Sequence, residues 1–422
     1  MKDRILAVTG LQWGDEGKGR VCNDLARGAD IIVRVQGGAN AGHTIYSKGR
    51  KFVFHLLPCG VLYPEKTSLL GPAVFVDPIR LAKEIADLKD AGLNAKPGHV
   101  IIDFRAPMVL PWHWAMDSVK GGKIGTTGRG IGPVAKDFYA REALNMAGIL
   151  KEPEVLERSY ANYMKKHECQ GFPAVEHDQV DAILQAVEKL RPLVGDSVTF
   201  LQEARQKNRK ILLEGAQGAL LDVLFGTYPF VTSSLTGVAA LPFLAGLGYP
   251  KNFLGMGVTK AYTTRVGNGP FPSEDLTASG EKLRSLGEEF GATTGRPRRC
   301  GWLDLPALEY ACKFTGTNAL IITKLDVLAM AGEFKVAVAY KDHAGNRVPW
   351  TRVTGDLDRL SPVYERMKAG ESRADAPWVK NFATFIETRI GVPVIGVTMG
   401  KSTNDATYFI DPWNKLPVEQ TH

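Results

Sequence analysis

Apolar, β-branched runs of four to six residues punctuate the chain and predict the strands of a buried sheet. They are Ile5–Val8, Ile31–Val35, His99–Ile102, Lys210–Leu213, Phe253–Val258, Leu320–Thr323, Lys335–Tyr340 and Val394–Thr398. Between several of them lie stretches whose apolar positions recur at helical spacing, such as Pro78–Ala91, Val180–Leu190 and Pro377–Arg389. Strands alternating with amphipathic helices predict an α/β fold with a large, mostly parallel central sheet flanked by helices. Lys335–Tyr340, then His343-Ala344-Gly345-Asn346 and a short run over Arg347–Thr351, predicts a small hairpin subdomain added to that sheet. The polar stretch Lys151–His177 predicts a helical insertion. No repeat, low-complexity tract or linker interrupts the pattern, so the expectation is a single domain over residues 1–422 with insertions.

Composition narrows the class only slightly. With 44% hydrophobic and 23% charged residues the chain is an ordinary globular one. Its net charge of +7 is spread along the sequence rather than gathered in a tail, which favours anionic small molecules over nucleic acid as partners. The five cysteines, Cys22, Cys59, Cys169, Cys300 and Cys312, form no CxxC pair, as expected of reduced thiols in a cytoplasmic protein. No run reaches the roughly 18 apolar residues of a membrane span, so no membrane partner is expected.

The glycine-rich segments carry the chemistry. Gly10-Leu-Gln-Trp-Gly-Asp-Glu-Gly-Lys-Gly-Arg20 directly follows the first apolar run. A strand that ends in such a turn before a helix presents backbone N–H groups to a phosphate. A Walker A loop would place Ser or Thr after its lysine, but here Gly19 follows Lys18. No hydroxyl is placed to hold magnesium, so a carboxylate must, and Asp15 is the nearest. Gln36-Gly-Gly-Ala-Asn-Ala-Gly-His-Thr44 suits a mobile loop closing over a ligand, with His43 placed to polarise a phosphoryl oxygen or donate a proton. Gly125-Thr-Thr-Gly-Arg-Gly-Ile-Gly-Pro133 is a second anion cradle, suited to a monophosphate. Gly291-Ala-Thr-Thr-Gly-Arg-Pro-Arg-Arg299 sets three arginines beside two threonines, a match for carboxylates or phosphates. Lys324-Leu-Asp326 at a strand end is an arrangement that reads guanine: the carboxylate accepts from N1–H and the exocyclic amine, while the lysine stem covers the base. Adenine lacks that donor pair.

In order along the chain, these pieces resemble the adenylosuccinate synthetase family. The segments that carry the resemblance are Gln12–Gly19, Asn40–Thr44, Ile124–Pro133, Glu214-Gly-Ala-Gln-Gly218, Tyr228–Ser234, Gly291–Arg296, Gly301-Trp-Leu-Asp304 and Thr323–Leu328. The resemblance implies a ligase of AMP biosynthesis that joins L-aspartate to IMP with GTP hydrolysis, through 6-phosphoryl-IMP. It implies catalytic roles for Asp15, His43, Lys18 and Gln217, and magnesium held by Asp15 and the Gly42 carbonyl. GTP would be held by Gly14, Glu16, Gly17, Lys18, Gly19, Gly42, His43, Thr44, Arg298, Lys324, Asp326 and Gly400. IMP would be held by Asp15, Asn40, Thr127, Gln217, Thr232, Arg296 and Arg141, the last supplied across a homodimer. Thr293, Thr294, Arg296 and Arg298 would hold aspartate. The chain departs from the family at Ala39, at Gly71-Pro72-Ala73 where a turn is expected, at Leu235–Ala240 and at Thr398–Lys401. Several of these fall near the acceptor, and Leu235–Ala240 is expected to pack beneath the site. Two alternatives remain at this point. One is a related ligase acting on another 6-oxopurine-like nucleotide, such as dGMP or an antibiotic precursor. The other is a GTP-binding regulatory protein, which would leave Arg296 and Arg298 without a purpose.

Overall fold

The computed structural model describes residues 4–47, 50–93, 95–120, 125–251, 253–290, 295, 297–350, 354–400 and 405–414. Its centre is a ten-stranded sheet. Across the sheet the strands run Ala406–Tyr408, Val394–Thr398, Ala319–Thr323, Phe253–Lys260, Ile5–Gly10, Ile211–Gly218, Ile31–Gly38, Thr67–Phe75, Val100–Asp103 and Val194–Gly195. All neighbours pair in parallel except the edge strand Ala406–Tyr408. Parallel strands need both faces covered, and residue alternation supplies both. Leu6 and Val8 pack with Val21, Leu25, Leu81 and Ile183 on one side. Ile5 and Ala7 pack with Leu201, Val238 and Leu241 on the other.

The expected helices are present as Pro78–Asp90, His177–Leu190 and Pro377–Ile390. Asp77 caps the first of them, its Oδ1 accepting from the Arg80 N–H at 2.9 Å, with Pro78 at the first helical position. The polar stretch holds the helix Glu154–Gln170.

Three expectations need correction. The hairpin of Glu333–Lys341 with Arg347–Val348 joins a second sheet instead of the central one; Thr351 lies outside the described residues. That sheet also contains Tyr262–Arg265, Arg299–Asp304 and Ser361–Lys368. A separate apolar cluster, including Trp13, Phe271, Trp302, Phe334 and Phe382, supports it. Second, Gln36–Thr44 is not one loop. Gln36–Gly38 continues a strand and His43 opens another, leaving Ala39–Gly42 between them. Backbone pairing of Gln36, Gly37 and Gly38 with Ala73, Val74 and Phe75 overrides their glycine content. Third, Gly71-Pro72-Ala73 is no turn but the middle of Thr67–Phe75. Arg34 pairs with Leu70 and Gln36 with Ala73, so the extra residue makes a bulge. The outer neighbour Val100–Asp103 pairs only with Ser68–Leu70, so Pro72, which has no N–H, sits where no bond is asked of it.

Candidate active site

The carboxyl ends of the central strands place the candidate residues along one rim, the usual position for ligands in open α/β sheets. Ile5–Gly10 feeds the first glycine-rich loop. Gly14 (φ 90°), Asp15 (φ 60°) and Gly17 (φ 87°) are all left-handed, a tight path that ends at the helix Lys18–Ala26. Glu16 holds this loop from inside. Its Oε1 accepts from the Gln12 and Gly14 N–H groups at 3.0 and 2.9 Å, and Lys18 Nζ lies 2.6 Å from Oε2. A Cβ at Gly10 or Gly218 would lie 2.2 or 2.4 Å from this carboxylate, so glycine is required on both strands around it. The Glu16 side chain is thus fully buried, while Asp15 faces outward.

Opposite the loop stands His43, first residue of its strand. A Cβ at Gly19 would lie 2.6 Å from the His43 Cβ, so the absence of a side chain at Gly19 lets the helix and the histidine meet. His43 Nδ1 is 3.0 Å from Glu214 Oε1 and Nε2 is 3.2 Å from the Leu57 carbonyl. Each ring nitrogen thus faces an oxygen acceptor. Arg34 also donates to Glu214 at 3.3 Å, and the Cys59 N–H at 3.1 Å. Burial pushes the Glu214 carboxyl up, but His43, Arg34 and the Cys59 N–H outweigh it and bring it down to about 2. Glu214 is therefore a carboxylate throughout the physiological range.

The guanine-reading candidates follow Ala319–Thr323, separated from Ile5–Gly10 by Phe253–Lys260. Thr323 Oγ1 donates to the Glu16 carbonyl at 2.6 Å, joining the phosphate loop to the strand that ends in Lys324. Lys324 is left-handed (φ 65°) and its Nζ donates to the Gly287 carbonyl at 2.6 Å. Asp326 lies in the first turn of the helix Leu325–Ala331, and its Oδ1 is buried with no hydrogen-bond partner. Burial pushes its carboxyl up. Gly400, at the end of the neighbouring strand, receives Arg20 at 2.7 Å through its carbonyl.

On the other flank, Gln217 (φ 57°) donates to Asn40 Oδ1 at 3.2 Å, and its own Oε1 is buried without a partner. Thr232 Oγ1 is likewise buried and unpartnered. Arg298 Nε comes within 3.0 Å of Asp15 Oδ2. Gly42 is exposed, and Thr44 follows His43 in the strand. Thr127 and Arg141 are both exposed, Arg141 at the left-handed end (φ 65°) of the helix Ile131–Ala140. Thr293, Thr294 and Arg296 lie outside the described residues. Within Leu235–Ala240, Val238 packs against the sheet while Ala239 is exposed. Val238 is buried, and Asp222 accepts from the Thr236 N–H at 2.6 Å.

A family model of adenylosuccinate synthetase matches residues 7–407. The chain belongs to the adenylosuccinate synthetase family. Among curated relatives, the adenylosuccinate synthetase of Helicobacter pylori strain HPAG1 is 42% identical over 414 residues, covering 95% of this chain and 99% of that protein. That of a Marinomonas species is 39% identical over 433 residues, covering 97% and 99%. The fully ligated adenylosuccinate synthetase of Plasmodium falciparum superposes with a TM-score of 0.89 at 33% identity, covering 96% of this chain and 99% of the other. A cyanophage S-2L succinoaminodeoxyadenylate synthetase bound to dGMP and dATP shares the fold at 20% identity, with a TM-score of 0.63 and 98% and 97% covered. The chain is accordingly a carbon–nitrogen ligase of purine biosynthesis that joins L-aspartate to IMP with GTP as co-substrate. Among the described residues no helix is long and apolar enough to cross a membrane.

The sequence reading gave no role to Glu214 or Arg34, both central to the geometry around His43. The available signal was a charge inside an otherwise apolar strand: Glu214 after Ile211–Leu213 and Arg34 within Ile31–Val35.

Proposed function

We propose that the rim residues divide the ligase reaction as follows. Asp15 takes the N1 proton of IMP, which makes the 6-oxygen nucleophilic toward the γ-phosphate of GTP. Lys18, the backbone N–H groups of Gly17 and Gly19, and His43 hold the transferring phosphoryl, with Gly14 part of the same GTP loop. Glu214 keeps the His43 ring in place. The amine of aspartate then displaces phosphate from 6-phosphoryl-IMP. Asn40, Thr127, Gln217, Thr232 and Arg296 hold IMP, and Thr293, Thr294, Arg296 and Arg298 hold aspartate. Lys324, Asp326 and Gly400 hold guanine, while Glu16, Gly42 and Thr44 complete the GTP site. The buried, unpartnered oxygens of Gln217 and Thr232 support the IMP assignment, since such atoms are costly until a polar ligand meets them.

Magnesium fits the same rim. Asp15 offers an exposed carboxylate and Gly42 an exposed backbone position, and Mg2+ usually takes one or two protein oxygens with the rest from phosphates and water. Bound there, it would neutralise charge on the phosphates during transfer. We further propose that the enzyme is a cytoplasmic homodimer in which the partner subunit's Arg141 reaches the IMP phosphate. The exposure of Arg141 beside the exposed aromatic rings of Phe138 and Tyr139 supports this.

The observation that carries the reading is the pairing of Asp15 with Arg298, which joins the phosphate loop to the arginine-rich segment. Asp15→Asn keeps the size of the side chain and removes the base. Ligation should fall by about 10²–10⁴-fold, while GTP binding measured by calorimetry stays within a few-fold. Substantial ligation by a clean Asp15→Asn preparation would remove Asp15 from this role.

A further inference from the structure

Behind the guanine site lies a buried cluster that none of these roles uses. Glu289 Oε1 accepts from Lys260 Nζ at 3.1 Å and from the Tyr262 hydroxyl, and lies 3.6 Å from Lys324 Nζ. Lys260 is completely buried and also donates to Thr264 Oγ1 at 2.5 Å. One carboxylate thus serves two ammonium groups, one structural and the other at the guanine seat. Burial pushes the Glu289 carboxyl up, but Lys260 and Lys324 prevail and hold it below its usual value.

The backbone of the same residue has a second task. The Arg298 N–H donates to the Glu289 carbonyl at 2.9 Å, and Phe290 and Pro297 form an antiparallel bridge beside it. The Arg298 carbonyl in turn accepts from Arg284 Nε at 2.8 Å. Arg298 leaves this clamp to meet Asp15. Side chain and main chain of Glu289 therefore reach the two ends of the site, Lys324 and Arg298.

We propose that Glu289 is a positioning residue that locks the guanine seat to the aspartate-binding arginine, so that both are set by one buried carboxylate. The proposal rests on the assignments of Lys324 to guanine and Arg298 to aspartate. Freed from Glu289, the Lys324 ammonium keeps the Gly287 carbonyl, and the backbone at 289 keeps its N–H bond to the Arg284 carbonyl but loses the side-chain anchor beneath Arg298. Most of the residues assigned to IMP, among them Asn40, Gln217 and Thr232, lie on the far flank outside this cluster, while Arg296 shares the arginine-rich segment.

The test is steady-state kinetics on full-length Glu289→Gln, varying GTP, aspartate and IMP in turn. Loss of a charge-assisted contact should raise KM for GTP and for aspartate about tenfold, with a clearly smaller rise in KM for IMP. A purely structural role would lower Tm and the active fraction while leaving all three KM values alone. Because Glu289→Gln strands the Lys260 charge, the paired variant Glu289→Gln/Lys260→Met removes both buried charges and decides the matter if the single variant fails to fold. It should show the same KM pattern. Unchanged GTP and aspartate KM values in a folded variant, or an equal rise for all three substrates, would overturn the proposal. Ligation by the unmutated chain, assayed in parallel, separates that outcome from a failure of the underlying assignments.

Discussion

On the proposed assignment, Asp326 carries the most specific recognition in the site. Its carboxylate sits in the first turn of a helix, where the backbone dipole favours negative charge, yet Oδ1 is buried without a donor. Such an orphan costs about 1–3 kcal/mol. Guanine repays it with N1–H and an exocyclic amine together, and adenine cannot. Asp326→Asn reverses one of those contacts, since an amide donates where the carboxylate accepted. The variant should weaken for GTP by about tenfold or more and prefer xanthosine triphosphate, whose 2-oxo group accepts from the amide. Competition between the two nucleotides in the ligation assay checks this; an unchanged preference would exclude Asp326 from reading the base.

The meeting of helix and strand decides what His43 can do. The helix Lys18–Ala26 carries a glycine, Gly19, in its first turn because the His43 Cβ occupies the space a side chain would take. Alanine ordinarily favours a helix by about 0.5–1 kcal/mol over glycine. At this position the gain is opposed by a 2.6 Å contact that no rotamer of a methyl group can relieve. Gly19→Ala should therefore leave Tm within a few degrees and lower kcat at least tenfold, by displacing the imidazole from Glu214. Unaltered kcat would show that the helix start does not set the histidine. The same elements mark where the sequence was readable. Apolar runs and helical apolar spacing located most of the central strands and all three expected helices, though the ends of Ile31–Gly38, Ile211–Gly218 and His177–Leu190 lie three to five residues beyond the runs. Thr67–Phe75 was missed because Gly71 and Pro72 read as a turn, whereas a bulge on a half-paired strand absorbs both. Gln36–Gly38 was misread because glycine composition speaks for local freedom, and only the partner strand shows that this freedom is not used.

Across the whole molecule, loop chemistry was legible and its support was not. The Asp15, His43, Lys324 and Asp326 segments announce themselves by glycine content and by the groups that nucleotides need. Glu214, Arg34, Lys260 and Glu289 act through burial and mutual contact, properties that exist only after the strands are ordered in the sheet. That order brings strands from distant parts of the sequence, Ile5–Gly10, Ile211–Gly218 and Ala319–Thr323, to a common rim. It also buries Val238, within the departure Leu235–Ala240, against the sheet. Gln217 and Thr232 keep buried oxygens without partners, the groups proposed to meet IMP. The most direct test of this account is phosphate release and adenylosuccinate formation with GTP, magnesium and aspartate, measured across IMP, dGMP and other purine monophosphates. The account predicts GTP-dependent ligation with kcat/KM highest for IMP by at least a factor of ten. A higher kcat/KM for dGMP or another acceptor would contradict it.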